Sequence, residues 1–365
     1  MIHDLYQLLA LTASTGASDL HITADAPPMI RLKGMLTPLA DYTLSGEDTG
    51  ELIFAVLTEP QRLRFNTDLE LDFALQIEGA GRFRGNAHLS KGVLEAAFRH
   101  IPDEIPDLAT LGHRPAVNEI CTRERGLVLV TGITGSGKST TMAAMLKKIS
   151  SERSGVIVTI EDPIEYVFSH SRSIVKQREV GRDTTSFAEA LRHVLRQDPD
   201  VILVGEMRDP ETIRAALTAA ETGHLVLATL HTIDAPKAVD RIVDAFPGDQ
   251  QPQIVAQLSS ALEAVVSQRL LVRADGKGRV LATEILTANH AVRTAIRERR
   301  GEQLVGMIEI GSRDGMHTID DSLLELFRNG AISAEDAIHQ SREREAMESA
   351  VGTPPAVAKS RGLFH

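Results

Sequence analysis

The chain has 365 residues, of which 42% are hydrophobic and 24% are charged, and its formal net charge at pH 7 is −11. This length and balance predict two globular domains, each able to bury a core of its own. The acidic balance argues against a protein that grips nucleic acid through phosphates, so we expect no nucleic-acid partner. The single cysteine, Cys121, excludes a disulfide framework or a four-cysteine zinc site within one chain, and we expect a buried free thiol.

The sequence also argues against insertion into a membrane. No apolar run approaches the roughly 20 residues that cross a bilayer. The first four residues lack the charged and apolar blocks of a signal peptide. We therefore expect a cytoplasmic protein that would reach the inner face of a membrane only through a partner.

Residues 1–100 read as a small mixed domain. A helix is predicted at 5–15 from its apolar spacing, and Gly16 stops it. Extended segments follow, with turn residues between them, and the predicted strands are 20–23, 29–32, 70–77, 81–89 and 93–99. Pro102 and Pro106 with acidic residues between them suit a linker, which we place at 101–110.

From residue 127 onward the pattern changes to alternating strands and helices. Four apolar, β-branched runs predict strands at 127–130, 156–160, 201–204 and 225–230, separated by helices such as 139–149 and 186–195. Such an alternation indicates a largely parallel sheet covered on both faces, and hence an α/β fold. We expect this domain to span 111–350, to be mostly helical from about 251 to the 340s, and to be followed by a disordered tail at 351–365.

A glycine-rich phosphate-binding loop directly follows the first of these strands and opens the next helix. Its residues fit the pattern GxxxxGK[ST], in which glycines let backbone N–H groups approach phosphates and the helix N-terminus favours negative charge. Lys138 is expected to reach the β- and γ-phosphates, and the Ser139 hydroxyl to bind Mg²⁺. The predicted set for ATP comprises Gly132, Ile133, Thr134, Gly135, Ser136, Gly137, Lys138, Ser139 and Thr140.

Glu206 lies two residues after the apolar strand 201–204 and is the predicted carboxylate partner of the loop. We expect this strand to lie beside the phosphate loop, so that Glu206 holds the Mg²⁺ shell or polarises the attacking water. The alternative is a capping or surface carboxylate. Arg208 and Asp209, which follow at once, are expected to form a local ion pair.

Two further groups follow strands of the same predicted sheet. Glu161 and Glu165 follow the strand 156–160, where catalysis and ordinary helix capping are both open. His224 and His231 bracket the strand 225–230, and His231 lies at its carboxyl end, where an imidazole could sense the γ-phosphate. A structural role for this pair of histidines is the alternative.

Three arginines stand out in the first domain: Arg82, Arg84 and Arg99. Arg82 and Arg84 share one face of a predicted strand, because side chains alternate along a strand. Solvation or salt bridging is the ordinary interpretation of such residues. The alternative is a guanidinium supplied to a phosphate bound elsewhere.

These motifs, in this order, resemble the secretion ATPase superfamily, and within it the type IV pilus retraction ATPases of the PilT kind. The resemblance covers roughly residues 1–345 and is carried by the loop together with 18–21, 27–31, 160–166, 198–209, 223–232 and 315–320. It implies a PAS-like N-terminal α+β domain, a RecA-like ATPase domain, a hexameric ring and an inner-membrane pilus platform partner. It also implies that the three arginines reach nucleotide at a domain or subunit interface, with catalytic roles for Glu161, Glu165 and His231.

Two departures from the family pattern leave the type of motor open. Residues 291–298 read AVRTAIRE where the family usually has AIRNLIRE, and Lys91 stands where arginine is frequent. The chain could be the principal retraction motor or an accessory paralogue. A pilus-extension or type II secretion ATPase is the nearest rival, although the single cysteine argues against its four-cysteine zinc module. Nucleic-acid translocation and nucleotide-gated binding without turnover are the rivals from other classes.

Overall fold

The computed structural model describes residues 4–32, 34–101 and 104–352. Within them the chain forms two compact units. The first unit contains the described residues up to Ile105 and two later segments of the chain, Glu161–Ser169 and Gln177–Thr184. The second holds Pro106–Ile160, His170–Lys176 and the described residues from Thr185 onward.

The first unit is built on a six-stranded antiparallel sheet with the strand order β3-β2-β1-β6-β5-β4. Three helices pack against this sheet. The elements in chain order are α1 Leu5–Ser14, β1 Asp19–Ile22, β2 Met29–Leu32, β3 Met35–Pro38, α2 Gly46–Val56, α3 Glu59–Asp68, β4 Glu70–Ile77, β5 Gly81–Ser90 and β6 Val93–Ile101.

The first unit is stabilised by a buried apolar core and by helix capping. Leu8 and Leu9 of α1 meet Phe83 and Phe98 of the sheet in one core, all with no exposed surface. Helix α2 begins at a capping box, because the Ser45 side chain and the residue three positions later each satisfy the other's backbone N–H. The predicted strands of this region are present, whereas β3, α2 and α3 were not predicted.

The second unit contains most of a seven-stranded sheet with the order β13-β12-β7-β11-β10-β8-β9. Strands β12, β7, β11, β10 and β8 are parallel, and β13 runs antiparallel to β12. The strands are β7 Gly126–Thr131, β8 Val156–Glu161, β9 Ile174–Glu179, β10 Val201–Val204, β11 Leu225–Leu230, β12 Leu262–Val272 and β13 Arg279–Thr287. Every residue of β7, β10 and β11 is buried, as apolar strands covered on both faces require.

Helices connect these strands and complete the unit. They are α4 Pro115–Ile120, α5 Lys138–Glu152, α6 Phe187–Val194, α7 Pro210–Glu221, α8 Ala235–Asp244, α9 Gln251–Ala261, α10 His290–Arg297, α11 Gln303–Ile310, α12 Ile319–Arg328, α13 Ala334–Gln340 and α14 Arg344–Gly352. The last three pack with β12 and β13 in a small core that includes Leu271, Ile319 and Leu323. No helix among the described residues is long and apolar enough to span a lipid bilayer.

The predicted mixed α/β fold is confirmed, and the region after residue 251 holds a strand hairpin in addition to the predicted helices. The hairpin of β12 and β13 lies there, and β12 pairs with β7 next to the phosphate-binding loop. β12 is buried on both faces over most of its length, so its sequence lacks the alternation that marks a half-exposed strand.

The predicted tail and linker fall partly outside the described residues. Helix α14 extends to Gly352, so residues 351 and 352 are helical, and the remainder of the predicted tail lies beyond the described part of the chain. Within the predicted linker, Ile101 belongs to β6, and residues 102 and 103 are not described.

Candidate active site

The phosphate-binding loop joins the end of β7 to the start of α5, as the sequence predicts. Gly137 caps α5 with φ of +90°, a left-handed conformation that glycine adopts without strain. At Gly132, a Cβ atom would lie 2.4 Å from Ser136 Oγ and 2.5 Å from the Gln268 carbonyl oxygen, so only glycine fits. The Lys138 Nζ donates to the carbonyl oxygens of Gly132 (2.8 Å) and Ile133 (3.0 Å), which holds the loop around the lysine.

The strand order brings several predicted residues to one edge of the sheet. The carboxyl ends of β7, β11, β10 and β8 meet there, because these strands are parallel. In that order they carry the loop, His231, Glu206 and Glu161. Strand β11 lies between the Glu206 strand and the loop strand, so His231 follows the strand directly beside the loop strand.

Glu206 contacts an arginine and a histidine. Its carboxylate is 2.8 Å from an Arg208 guanidinium nitrogen and 3.2 Å from His231 Nε2. Burial alone would raise the pKa of Glu206, but the hydrogen bond and charge of Arg208, together with His231, lower that pKa below its usual value. Glu206 is therefore ionised at neutral pH, and its charge suits it to orient a cation or a water molecule.

The expected ion pair between Arg208 and Asp209 is not formed. Arg208 pairs with Glu206, and Asp209 caps helix α7 by accepting the Thr212 backbone N–H at 2.8 Å. The cap is favourable because an unpaired N–H at a helix start needs an acceptor. His224, at the other end of the His231 strand, makes a local contact: its Nδ1–H donates to the Ala219 carbonyl oxygen at 3.0 Å.

Glu161 and Glu165 both belong to the first unit. Glu161 ends β8 and accepts a hydrogen bond from Gln177 Nε2 at 3.2 Å. Glu165 pairs with Arg84 at 3.6 Å across half-exposed side chains. The geometry therefore gives Glu165 a partner that the sequence did not indicate.

The three arginines have carboxylate partners within their own unit. Arg82 is the most enclosed, with its Nε donating to the Ile164 carbonyl oxygen (2.7 Å) and a terminal nitrogen to Glu179 (3.3 Å). Arg99 pairs with Asp19 at 3.0 Å, although its side chain is 71% exposed. The salt bridging that is the ordinary interpretation of such residues is present at all three arginines.

The comparisons with known proteins decide the family. The model of the family described as "Type II/IV secretion system protein" matches residues 99–337. The chain belongs to this family. The chain is also 46% identical over 339 residues to the type IV pilus retraction ATPase PilT of Pseudomonas aeruginosa, which covers 93% of this chain and 98% of that protein.

Other relatives place the chain among the PilT-like members of the secretion family. It is 47% identical over 320 residues to a twitching motility protein of Neisseria gonorrhoeae, covering 88% of this chain and 86% of the relative. A crystal structure of the pilus retraction motor PilT with bound ADP superposes with a TM-score of 0.87 at 47% identity, covering 95% and 99% of the two chains. The predicted membership of the PilT-like retraction ATPases is confirmed.

Three residues that contact the candidate site were not assigned to it from the sequence. Gln268 and His113 are buried beneath the phosphate-binding loop, and Arg208 holds Glu206. No local pattern marks Gln268 or His113, because each contacts residues distant in sequence. Arg208 could have been found from its spacing, two residues after Glu206.

The two departures from the family pattern lie in ordinary local structure. Lys91 occupies the tight turn between β5 and β6 with φ of +52°. Of the departing positions in α10, Val292 and Ala295 are buried, and the Thr294 hydroxyl donates to the His290 carbonyl oxygen at 2.9 Å. None of these positions distinguishes a principal motor from an accessory one.

Proposed function

We propose that the chain is an ATP-hydrolysing motor that powers retraction of type IV pili and thereby twitching motility. The observation that carries this function is the strong similarity to PilT along almost the whole of both chains. The glycine-rich loop between β7 and α5 supports it chemically, since such loops bind nucleotide phosphates. The PilT crystal structure contains ADP, which supports a nucleotide at the equivalent loop of this chain.

The loop residues and one carboxylate fit a nucleotide with Mg²⁺. The close approach at Gly132 and the left-handed Gly137 form a cradle that larger residues would fill. Ser139 would bind Mg²⁺ and Glu206 would complete or orient its shell, while the ion would neutralise charge on the phosphates. Within the described residues no three His, Cys, Asp or Glu gather to hold a metal, and Mg²⁺ bound largely through substrate phosphates requires no such group.

Glu206 and His231 are proposed to act on the attacking water and the γ-phosphate. The ionised Glu206 accepts a hydrogen bond from the water and orients it. His231, on the strand next to the loop, can donate to phosphate through the nitrogen that now faces Glu206. His231 would then contact Glu206 in one state and phosphate in the other. This change of partner would couple hydrolysis to a movement of the loop after β11, which carries His231.

Arg82, Arg84 and Arg99 are proposed to bind phosphate supplied with a neighbouring subunit, and Glu161 and Glu165 are proposed to act as catalytic carboxylates. The carboxylate partners of the arginines mean that binding would be an exchange of partners rather than a first contact. Release of the phosphate would restore the ion pairs, and this alternation would supply the movement. A hexameric ring, a PAS-like first domain and a RecA-like second domain remain part of this proposal.

The proposed motor acts in the cytoplasm, at the inner face of the membrane, where it would bind an inner-membrane pilus platform protein. The support is similarity to retraction ATPases rather than a surface of this chain. Sedimentation of the purified protein with Mg-ATP should show a hexamer. A monomer with full ATPase activity would contradict a site shared between subunits.

A chromosomal deletion scored for surface pili and twitching tests the function. Hyperpiliated, non-motile cells are expected, because extension would continue without retraction. Bald cells would indicate an extension ATPase, and normal piliation with weaker twitching would indicate an accessory paralogue. Complementation with Lys138→Ala should fail, since Lys138 is the cation of the phosphate-binding loop.

A further inference from the structure

Gln268 is a buried polar residue that faces the phosphate-binding loop. It is 1% exposed and lies on β12, the strand directly beside β7. Ser267 and Thr131 are paired in register, and their hydroxyl oxygens lie 2.8 Å apart. Gln268 therefore stands where the loop begins.

The side-chain amide of Gln268 holds the far end of the same loop. Its Nε2 donates to the Ser136 carbonyl oxygen at 2.9 Å and lies 3.2 Å from the Thr141 hydroxyl oxygen. A backbone carbonyl oxygen can only accept, so the amide nitrogen must be the atom that faces it. The orientation of this glutamine is therefore fixed by its partners.

The bond to Ser136 determines the direction of the next backbone N–H. A trans peptide unit points its carbonyl oxygen and its N–H in opposite directions. Because Gln268 holds the Ser136 oxygen toward β12, the Gly137 N–H points away from β12. Glycine at 137 would otherwise let this peptide rotate and present a carbonyl oxygen to an anion.

Thr141 and His113 support Gln268 from the other side. The Thr141 hydroxyl oxygen, which receives the Gln268 amide, lies 2.9 Å from His113 Nε2. His113 is 7% exposed, and burial lowers its pKa to about 4. The neutral ring can therefore accept the Thr141 hydroxyl hydrogen, which leaves the oxygen free to accept from Gln268.

We propose that Gln268 is a positioning residue that fixes the Ser136–Gly137 peptide, so that the loop presents N–H groups to nucleotide phosphates. Thr141 and His113 keep the amide in place. The inference rests on the proposed nucleotide site and adds a residue from outside the loop to it. Gln268 itself touches no phosphate in this arrangement.

Gln268→Met tests the role, because methionine keeps the length of the side chain and removes the amide. We expect affinity for Mg-ADP, measured by calorimetry on the full chain, to fall about tenfold, as the loss of one buried hydrogen bond to the loop implies. Ser267→Ala is the matched control: it removes the neighbouring buried hydrogen bond, which holds β7 and not the loop. The affinity of Ser267→Ala for Mg-ADP should stay within about twofold of that of the wild type, although its loss of thermal stability should be comparable to that of Gln268→Met.

Thr141→Val provides a second variant that nearly preserves shape, should Gln268→Met fail to fold. We expect an affinity loss of about threefold, because the Ser136 contact survives without its support. Wild-type affinity in Gln268→Met, or an equal loss of affinity in Ser267→Ala, would overturn the role of Gln268. Wild-type protein that bound no nucleotide would instead overturn the proposed site itself.

Discussion

At the scale of single residues, the site depends on how charges are paired. Glu206 is held between Arg208 and His231, and its carboxylate remains ionised at neutral pH. A carboxylate with a lowered pKa is a weak proton acceptor, so its value lies in orientation and electrostatics. Removal of the charge and removal of its partner should therefore have different effects.

Glu206→Gln removes the charge and keeps the shape. We expect ATP binding to persist, because the loop supplies the phosphate contacts, and turnover to fall roughly 100-fold or more. Steady-state hydrolysis and equilibrium nucleotide binding measure the two effects. Glu309→Gln, an exposed carboxylate on α11, is the control and should leave both unchanged. Turnover retained by Glu206→Gln would exclude Glu206 from the chemistry.

Arg208→Gln removes the partner that holds Glu206. The pKa of Glu206 should rise, because burial then acts with less opposition from positive charge. The ionised form is the active one, so the acidic limb of the pH profile of kcat/KM should move to higher pH. A profile that keeps its acidic limb in place would show that Arg208 does not set the charge state of Glu206.

The sequence predicted the residues of the site that act through local geometry. The loop follows from its motif, and Glu206 and His231 follow from their positions at strand ends. Gln268 could not be predicted, because it meets Ser136 across 132 residues. The same holds for Arg82, whose partner Glu179 lies 97 residues away. Such contacts depend on strand order, which local patterns do not encode.

At the scale of elements, the hairpin of β12 and β13 joins the loop to the C-terminal helices. Glu284 of β13 is 1% exposed and accepts the backbone N–H of Ala235, at the start of α8, at 3.0 Å. It also forms an ion pair with Arg342 at 2.8 Å. Burial raises the pKa of Glu284, and Arg342 opposes that rise.

Arg342→Met should leave the Glu284 charge buried without its cation. We expect a loss of about 3 kcal/mol in the free energy of unfolding, measured with urea. The double variant Glu284→Gln/Arg342→Met should recover part of that loss, because residue 284 then carries no charge. Arg344→Met is the matched control, since its pair with Glu348 is exposed, and about 0.5 kcal/mol or less is expected. Equal losses in the two single variants would contradict this account.

This hairpin is also where prediction of the fold failed. The run 262–272 contains Leu, Glu, Ala, Gln and Arg, which suit a helix, and its burial on both faces removes the period of two. The turn at 273–278 contains two glycines and was the available signal. Strands β10 and β11, in contrast, match their predicted bounds, because short β-branched runs suit little else.

At the scale of the whole molecule, two buried histidines make stability depend on pH. Burial lowers the pKa of His113 and His317 from 6.5 to about 4. At a pH between these two pKa values, the histidines bind more protons in the unfolded chain than in the folded one. Their contribution is therefore complete above about pH 6.5 and is lost as the pH falls toward 4.

His317→Gln should flatten this dependence. Each histidine contributes up to about 1.4 kcal/mol per pH unit within the window, so the slope of unfolding free energy against pH should decrease by that amount. Urea titrations at pH values from about 4.5 to about 7 would measure the slope, because this range covers most of the interval between the folded and unfolded pKa values of the histidines. His290→Gln, at an exposed position, is the control. An unchanged slope in His317→Gln would show that His317 does not titrate as its burial requires.

The two compact units are interleaved along the chain, and this limits how they can be exchanged between relatives. Segments Glu161–Ser169 and Gln177–Thr184 belong with the N-terminal unit, although strands of the other unit flank them in sequence. They carry Glu165 and Glu179, the partners of Arg84 and Arg82. A chimera that swaps only the first 105 residues would mismatch these pairs. A functional exchange of the N-terminal unit must transfer three segments of the chain. Substitutions in the first segment therefore have to remain compatible with residues roughly 60 to 80 positions beyond its end.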